Sequence, residues 1–346
     1  MEWKDFKYIF AYLMPLMAII GLEWRGWWSP GSFYIAFVLI PVVEIFFKGT
    51  DKNLDDAQKE LKSNQSFFNY LLYLNVPLLY FVLIYSFFVV KNNDFSRMEG
   101  IGMILNVGVV LGTLGINVAH ELGHRQHKFD IILSKILLLP SFYMHFYIEH
   151  NLGHHKHIAT PKDPATALLN ENVYFFWIKS VFKSYQNAWK LEAKRLSKNN
   201  FSFWSIHNQM IQFVIIQLIY LVAIYYFGGM KCLIFLFLSG LVGILLLESV
   251  NYIEHYGLLR KIMSNGKYEP VMPKHSWNSN HELGRIFLYE LTRHSDHHYK
   301  STIKYQALSH HDESPQLPFG YPGAILIALI PPIWFSIMNK KVQEIA

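Results

Sequence analysis

The chain holds seventeen histidines, and nine of them fall into four short groups. The first group, residues 120–124, reads His-Glu-Leu-Gly-His and follows a long apolar run. On a helix, this H-E-x-x-H spacing places two imidazoles on one face with a carboxylate beside them. Taken alone, the motif predicts an intramembrane zinc metalloprotease in which Glu121 is the catalytic base.

Three further groups hold more histidine than one zinc ion could use. Residues 149–155 read Glu-His-Asn-Leu-Gly-His-His, residues 254–255 read Glu-His, and residues 294–298 read His-Ser-Asp-His-His. Zinc takes four ligands and octahedral iron six, so nine imidazoles predict two metals, each with an open position. Nitrogen-rich sites suit iron, copper or zinc, and an open position at iron suits oxygen activation. The predicted ligands are His120, His124, His150, His154, His155, His255, His294, His297 and His298.

Carboxylates near these groups are expected to accept hydrogen bonds from the imidazole N–H groups and to orient the rings. Isolated histidines elsewhere are interpreted as ordinary core or surface residues, and His157 is not expected to bind metal. The predicted orienting carboxylates are Glu121, Glu149, Asp163, Glu254 and Asp296.

The elements that must position these side chains are membrane helices. Of 346 residues, 52% are hydrophobic and 16% charged, whereas soluble domains carry roughly a quarter charged residues. Six stretches approach the about 20 residues that a membrane crossing requires. We therefore predict an all-α integral membrane protein with one membrane-embedded domain, 1–346, and six transmembrane helices near 8–22, 33–47, 68–90, 101–119, 210–227 and 232–247.

The positive charges predict the orientation of these helices. With six spans, the N-terminus, the loop 48–66, the segment 121–208 and everything after about His255 share one side. That side holds 27 of the 31 Lys and Arg residues, so it is expected to face the cytoplasm, with both termini. All histidines lie there too. The two large segments contain apolar stretches interrupted by proline, so we expect a membrane-associated cytosolic part rather than a separate domain.

The composition also excludes several cofactors. The single cysteine, Cys232, rules out an internal disulfide, a C-x-x-C redox pair and a Cys-ligated iron centre. Because no dinucleotide fingerprint is present, no bound flavin or nicotinamide is expected, and reducing equivalents must come from another protein. A net charge of +6 is weak support for a nucleic acid partner, and none is expected. Four basic residues could steer an acidic electron carrier or only satisfy the positive-inside bias: Arg285, Arg293, Lys300 and Lys304.

The histidine groups resemble those of a known family. Residues 120–124, 149–155 and 291–298 resemble the three histidine boxes of the membrane-bound non-haem di-iron alkane monooxygenases. The segment 251–258, Asn-Tyr-Ile-Glu-His-Tyr-Gly-Leu, is similar to the one that separates alkane hydroxylases from membrane desaturases. The resemblance extends over about 105–341; Thr292 departs from it, where many members have Gln.

The resemblance implies a six-helix protein of the bacterial inner membrane with two irons held by the nine grouped histidines. It implies O2-dependent hydroxylation of medium- to long-chain n-alkanes to 1-alkanols, with electrons from NAD(P)H through rubredoxin reductase and rubredoxin. Alternatives within the same chemistry are a xylene-type methyl hydroxylase and a fatty-acyl hydroxylase or desaturase. The zinc protease remains the alternative from a different class, and a metal transporter is disfavoured because histidines line no path through the spans.

An alkane has no polar handle, so its recognition requires an apolar slot between membrane helices. Gly108, Gly112 and Gly115 on the fourth span would either leave room for a chain leading to His120 or allow ordinary close helix packing. Phe37 in the second span is expected to limit how deep a substrate reaches.

Overall fold

The structure is a computed structural model that describes residues 2–47 and 49–345. The described residues form helices and no β-strand, with isolated bridges only between Ile262 and Tyr268 and between Asn278 and Gln316. In chain order the helices are α1 (Trp3–Trp24), α2 (Gly31–Phe46), α3 (Asp56–Ser63), α4 (Ser66–Asn92), α5 (Arg97–Gly123), α6 (Lys128–Leu138), α7 (146–157), α8 (Val173–Lys198), α9 (Gln209–His255), α10 (Glu282–Phe287), α11 (His294–Tyr299), α12 (Tyr321–Ala328) and α13 (Pro331–Ile345).

Four helices are long and apolar enough to cross a membrane, namely α1, α4, α5 and α9. Helix α2 is also apolar but shorter than a full span. The all-helical membrane architecture is therefore confirmed, whereas the predicted count of six spans is not. The loop predicted to follow α2 begins at Lys48, which lies outside the described residues.

Helix α9 covers both of the last two predicted spans. Its 47 residues would extend about 70 Å if straight, more than twice the roughly 30 Å hydrocarbon core. Gly229 interrupts it with φ 69° and ψ −172°, a conformation that glycine adopts without steric cost. The ring of Phe142 lies 5.8 Å from that of Tyr220 before this break and 5.8 Å from that of Phe237 after it. The two arms of α9 therefore fold back beside each other.

Helix α5 is the most buried of the four long apolar helices: 72% of its most apolar 18-residue stretch is buried. It packs closely on α9, because a Cβ atom at Gly108 would lie 2.4 Å from Val242 Cγ1. The buried Asn106 accepts a hydrogen bond from Ser32 N (2.7 Å) and donates one to Ala18 O (3.0 Å). These bonds join α1, α2 and α5 and satisfy polar groups that lipid could not.

Helices α2, α5 and α7 each contain a π-helical segment, at Ile35–Leu39, Leu111–Asn117 and His150–His154. Such segments are rare and occur frequently at functional sites. The one in α5 immediately precedes the first histidine group, and the one in α7 contains two histidines of the second. The helix geometry therefore departs from an ordinary α-helix next to the first histidine group and within the second, where it affects the direction of the imidazoles.

A second apolar cluster holds the C-terminal part against the end of α9. Tyr252 and Tyr256 of α9 pack there with Trp277, Tyr321 and Trp334, all nearly inaccessible to solvent. Trp277 Nε1 donates to Tyr256 O at 2.8 Å, which fixes the segment that leads into α10 and α11. This packing brings the fourth histidine group next to His255.

Candidate metal centre

Four separate segments bring the nine grouped histidines together at one end of the bundle. His120 lies in the last turn of α5, and His124 directly follows that helix. His150, His154 and His155 come from α7, and His255 is the last residue of α9. Helix α11 supplies the remaining three. They form a five-histidine set (His120, His124, His150, His155, His297) and a four-histidine set (His154, His255, His294, His298), and within each set the possible ligand atoms lie within 4.8 Å of one another.

In the five-histidine set the imidazole nitrogens converge. Nε2 of His150 lies 3.1 Å from that of His124 and 3.0 Å from that of His155. Nε2 of His155 lies 3.2 Å from that of His297. The buried Nε2 of His120 has no hydrogen-bond partner among the described residues. Buried polar atoms are normally paired, so nitrogens that face only one another indicate a metal ligand set.

The four-histidine set has the same character and is more deeply buried. Nε2 of His298 lies 2.7 Å from that of His294 and 3.2 Å from that of His154. His255 is completely inaccessible to solvent, and in the described part of the chain neither of its ring nitrogens finds a hydrogen-bond partner. This arrangement also fits nitrogen ligation of one metal.

The protonation states suit metal binding. Burial lowers the pKa of His124 to about 3. Five other histidines have a pKa well below the ordinary value: His150, His155, His294, His297 and His298. Burial is the largest cause, and repulsion from neighbouring imidazoles is the second. These side chains are therefore neutral at pH 7, which is the form that binds metals. Nine imidazole side chains without a thiolate fit two ions of iron, copper or zinc.

Asp163, one of the carboxylates predicted to orient the imidazoles, contacts one ring of the four-histidine set. Its Oδ2 lies 3.0 Å from His154 Nδ1 and also accepts a hydrogen bond from Thr166 Oγ1 at 2.6 Å. Burial lowers the pKa of His154, but the charge and hydrogen bond of Asp163, together with the charges of Glu149 and Glu248, raise the pKa overall. A carboxylate in this position fixes the ring and directs Nε2 toward the metal site.

Glu254 reaches an imidazole on another segment rather than its neighbour His255. Its Oε2 lies 3.0 Å from His294 Nε2, although outside hydrogen-bond geometry, and its Oε1 accepts from the Tyr321 hydroxyl at 2.7 Å. The sequence reasoning missed Tyr321. The available signal was its place within residues 105–341, over which the chain resembles the family.

The other three predicted orienting carboxylates have different partners. Glu121 Oε1 accepts from Arg125 Nη2 at 3.1 Å and from Tyr305 N at 3.3 Å. The proposed protease base is thus bound to an arginine, which disfavours that alternative. Because both residues are adjacent to grouped histidines on their helices, Glu149 and Asp296 point to other faces.

Glu149 and Asp296 are each satisfied elsewhere. Glu149 Oε1 accepts from Asn187 Nδ2 at 3.1 Å, and burial raises the pKa of Glu149 to about 8. Asp296 contacts His311 Nε2 at 2.7 Å and accepts from Ser309 N at 2.7 Å. His311 was interpreted from the sequence as an isolated histidine, and its contact with Asp296 could not be inferred from spacing.

A narrow cavity of about 90 Å³ ends at the histidines. Imidazoles from both sets, those of His120, His150 and His294, form its inner end together with Glu254. One face of α5, from Val109 to His120, lines it over about 16 Å at 1.5 Å per residue. Most of its walls are apolar and include Met14, Ile40, Leu246, Phe287 and Ile325.

Two of the four predicted channel residues line this cavity and two do not. Phe37 and Gly112 line the cavity. Gly108 instead packs against Val242, and a Cβ atom at Gly115 would face Leu137 O at 3.4 Å and Leu79. Gly108 and Gly115 therefore serve helix packing, which was the alternative interpretation of these glycines.

The predicted basic surface is also only partly formed. Arg285 and Arg293 are buried, and Arg285 Nε donates to Glu290 Oε2 at 2.5 Å. Lys300 is exposed, whereas Lys304 is half-buried and donates to Ser63 O at 2.7 Å. The two arginines cannot attract a carrier directly, because their charges are enclosed by protein.

Comparison with known proteins identifies the family of this site. Residues 100–324 match the model of the fatty acid desaturase family. The chain is 39% identical to an alkane 1-monooxygenase of Pseudomonas putida, over 98% of the chain and 85% of that protein. It is 40% identical to an alkane 1-monooxygenase of Ectopseudomonas oleovorans, over 99% and 86%. The hydroxylase component of a Pseudomonas putida xylene/toluene monooxygenase is 27% identical over 95% and 87%. The chain therefore belongs to the alkane 1-monooxygenase family, within the wider fatty acid desaturase family.

Proposed function

We propose that this protein hydroxylates the terminal carbon of medium- to long-chain n-alkanes with O2, giving 1-alkanols. The observation that carries this proposal is the narrow apolar cavity that ends on imidazoles of both histidine sets. Apolar walls can hold a molecule that has no polar group, and they direct one end of an extended chain to the histidines. The names of the relatives at 39% and 40% identity support the same substrate class.

We assign all nine grouped histidines as ligands of two non-haem irons, five to one ion and four to the other. Iron with an open position supplies oxygen activation and oxidation of the C–H bond when bound. Asp163 holds the His154 ring, and Tyr321 holds the Glu254 carboxylate beside His294. The apolar walls exclude water from the reacting end, while Asn251 and Glu254 are polar groups that the product hydroxyl would meet there.

The electrons for this reaction come from outside the chain in our proposal, through an NAD(P)H-dependent reductase and rubredoxin. The support is the absence of any cysteine pair in the sequence and the membership of the family. The half-buried His124 and His155 are the ligands closest to solvent, so a carrier would approach the five-histidine set.

We further propose that the chain is one domain that crosses the bacterial inner membrane six times. The spans would be α1, α2, α4, α5 and the two arms of α9 on either side of Gly229. The positive-inside bias supports a cytoplasmic location for the histidine sets and for both termini.

The decisive experiment combines metal analysis with an oxygen-dependent assay. Purified protein would receive rubredoxin, reductase, NADH and either octane or hexadecane. We expect two irons per chain and formation of the 1-alkanol. One zinc per chain, with no oxygen consumption on any hydrocarbon, would refute the proposal. Faster oxidation of p-xylene than of either alkane would instead favour the xylene-type alternative.

A substitution in the cavity tests the substrate path. Replacing Phe37, which lines the cavity, by alanine lengthens the available apolar space. We expect the Phe37→Ala enzyme to shift its preference toward longer alkanes. An unchanged alkane length profile would remove Phe37 from the substrate path.

A further inference from the structure

A second cavity, of about 340 Å³, lies beside the start of α1 and is separate from the substrate cavity. Its walls come from the first residues of α1, from the loop after α2 and from residues 282–308. Polar and charged side chains dominate these walls. Six are cationic (Lys4, Lys7, Lys52, Lys62, Arg285 and Arg293) and three are carboxylates (Asp5, Glu282 and Glu290).

Two of the lysines are already neutralised. Lys62 forms an ion pair with Asp5, and Lys4 Nζ lies 3.0 Å from Glu2 Oε2 at the rim. Among the other residues that line the cavity, the cationic side chains (Lys7, Lys52, Arg285 and Arg293) outnumber the carboxylates (Glu282 and Glu290) by two. The cavity thus keeps a surplus of positive charge.

Glu290 cannot balance this charge alone. It accepts from Arg285 Nε at 2.5 Å and contacts Lys7 Nζ at 3.3 Å, while the Tyr8 hydroxyl donates to it at 2.7 Å. Arg293 Nε lies 4.0 Å away, is buried and has no hydrogen-bond partner in the described ranges. Arg293 is only 2% exposed. The Nη groups of Arg293 donate to backbone carbonyls, which leaves the buried Nε and the positive charge to be met by an anion in the cavity.

The exposed side chains around the cavity indicate which class of molecule would supply an anion there. The same end of α1 exposes Trp3 (90%) and Phe10 (58%), and the end of α2 exposes Ile45 and Phe46 (75% each). Exposed tryptophan is typical of the headgroup level of a membrane, and the aliphatic and phenyl side chains would contact acyl chains. A phosphate bound in the cavity could therefore keep its lipid tails in the bilayer.

We propose that this cavity binds the phosphate group of an anionic phospholipid. Arg293 links the site to the metal centre, because it directly precedes His294 and donates to Leu308 O at 2.7 Å and Lys52 O at 3.0 Å. A phosphate beside Arg293 would stabilise the loops that carry the start of α11. The proposal does not depend on alkane hydroxylation, since it concerns lipid binding alone.

The test measures lipid retention by native mass spectrometry on the full-length protein. The protein would be reconstituted with phosphatidylcholine alone or with added phosphatidylglycerol. The test variant is the double substitution Lys7→Gln and Lys52→Gln, and the matched control is Lys267→Gln, an exposed lysine outside the cavity. The single exposed substitution Lys52→Gln serves if the double variant fails to fold.

We expect the wild type and Lys267→Gln to retain one phosphatidylglycerol in preference to phosphatidylcholine. Each lysine near a membrane surface contributes roughly 1 kcal/mol toward an anionic lipid, so retention should weaken about thirtyfold in the double variant and about fivefold in Lys52→Gln. Equal retention by wild type and variants would overturn the proposal. A second arm adds inorganic phosphate at matched ionic strength: if phosphate raises the Tm as much as the lipid does, the ligand is a soluble phosphate and the lipid assignment is wrong.

Discussion

The two histidine sets differ in access to solvent and in their support by carboxylates. The five-histidine set includes His124 and His155, which are half-buried, whereas every member of the four-histidine set is buried. Carboxylates approach the four-histidine set at His154 and at His294, through Asp163 and Glu254. None of the five predicted carboxylates contacts an imidazole of the five-histidine set within the described part of the chain.

This difference indicates that the two metals would not be equivalent. A polar surface cavity of about 480 Å³ reaches His124, so the five-histidine set has a path to the cytosolic side in the proposed orientation. The four-histidine set is enclosed by α9, α11 and the loop that carries Asp163. We expect the enclosed metal to be held more firmly and the accessible one to be closer to an electron donor.

The strongest test removes one ligand from each set. His255→Ala and His124→Ala should each lower alkane hydroxylation by more than about 100-fold, because losing a ligand exceeds the about 10–100-fold effect of losing its outer partner. Each variant should keep about one of two irons after dialysis, measured by elemental analysis. Two retained irons in His255→Ala would show that His255 is not needed to hold iron.

Removing the charge of Asp163 should have the next largest effect. Asp163→Asn leaves the shape but weakens the hold on His154, so iron affinity of the four-histidine set should fall about 10–100-fold. The matched control is Asp296→Asn, whose carboxylate contacts His311 rather than a ligand. Chelator titration of both variants measures the effect, and equal iron loss in the two would contradict the special role of Asp163.

Two glycines of α5 test whether the apolar cavity that ends at the histidines holds substrate. A Cβ atom would be tolerated about equally at both, 3.4 Å from Leu246 Cδ1 at Gly112 and 3.4 Å from Leu137 O at Gly115. Only Gly112 lines the cavity. Gly112→Ala should lower activity on the longest alkanes several-fold, and Gly115→Ala should leave the length profile unchanged. The profile is measured with a series of n-alkanes, and identical profiles for both variants would exclude this face of α5.

The smallest expected effect concerns His145, a buried histidine outside both sets. Burial lowers the pKa of His145 to about 3, from an ordinary value of 6.5. Between these values the unfolded chain binds the proton and the folded chain does not, so stability should decline as pH falls through this window. His145→Phe should make that decline shallower than in wild type, as measured by Tm against pH. The same slope in wild type and variant would show that His145 does not contribute, and the exposed His127→Phe is the control.

Much of the site could be predicted because helical spacing limits where side chains point. His120 with His124, and His294 with His298, are four residues apart and therefore share a face. The apolar runs likewise indicated helices at all six predicted spans. Their lengths did not show that the last two spans form one helix interrupted at Gly229, because the backbone conformation of a glycine is decided by packing.

For the carboxylates, closeness in sequence to a grouped histidine did not predict which side chain they contact. Residues one or two positions from a ligand point to other faces, which explains why Glu121 and Asp296 bind elsewhere. Asp163 lies nine residues after His154 and reaches it only because the chain turns back through a loop. Such contacts depend on tertiary structure and have no periodic signal.

The sequence by itself determined that nine histidines cluster, that helices carry them and that apolar segments surround them, because composition and helical periodicity are local properties. Only the tertiary structure decided which histidines belong together. The neighbours His154 and His155 enter different sets, as do His297 and His298, since consecutive residues on a helix point about 100° apart. The two neighbouring imidazoles therefore face different segments of the chain. The packing of the whole bundle decides which segments those are.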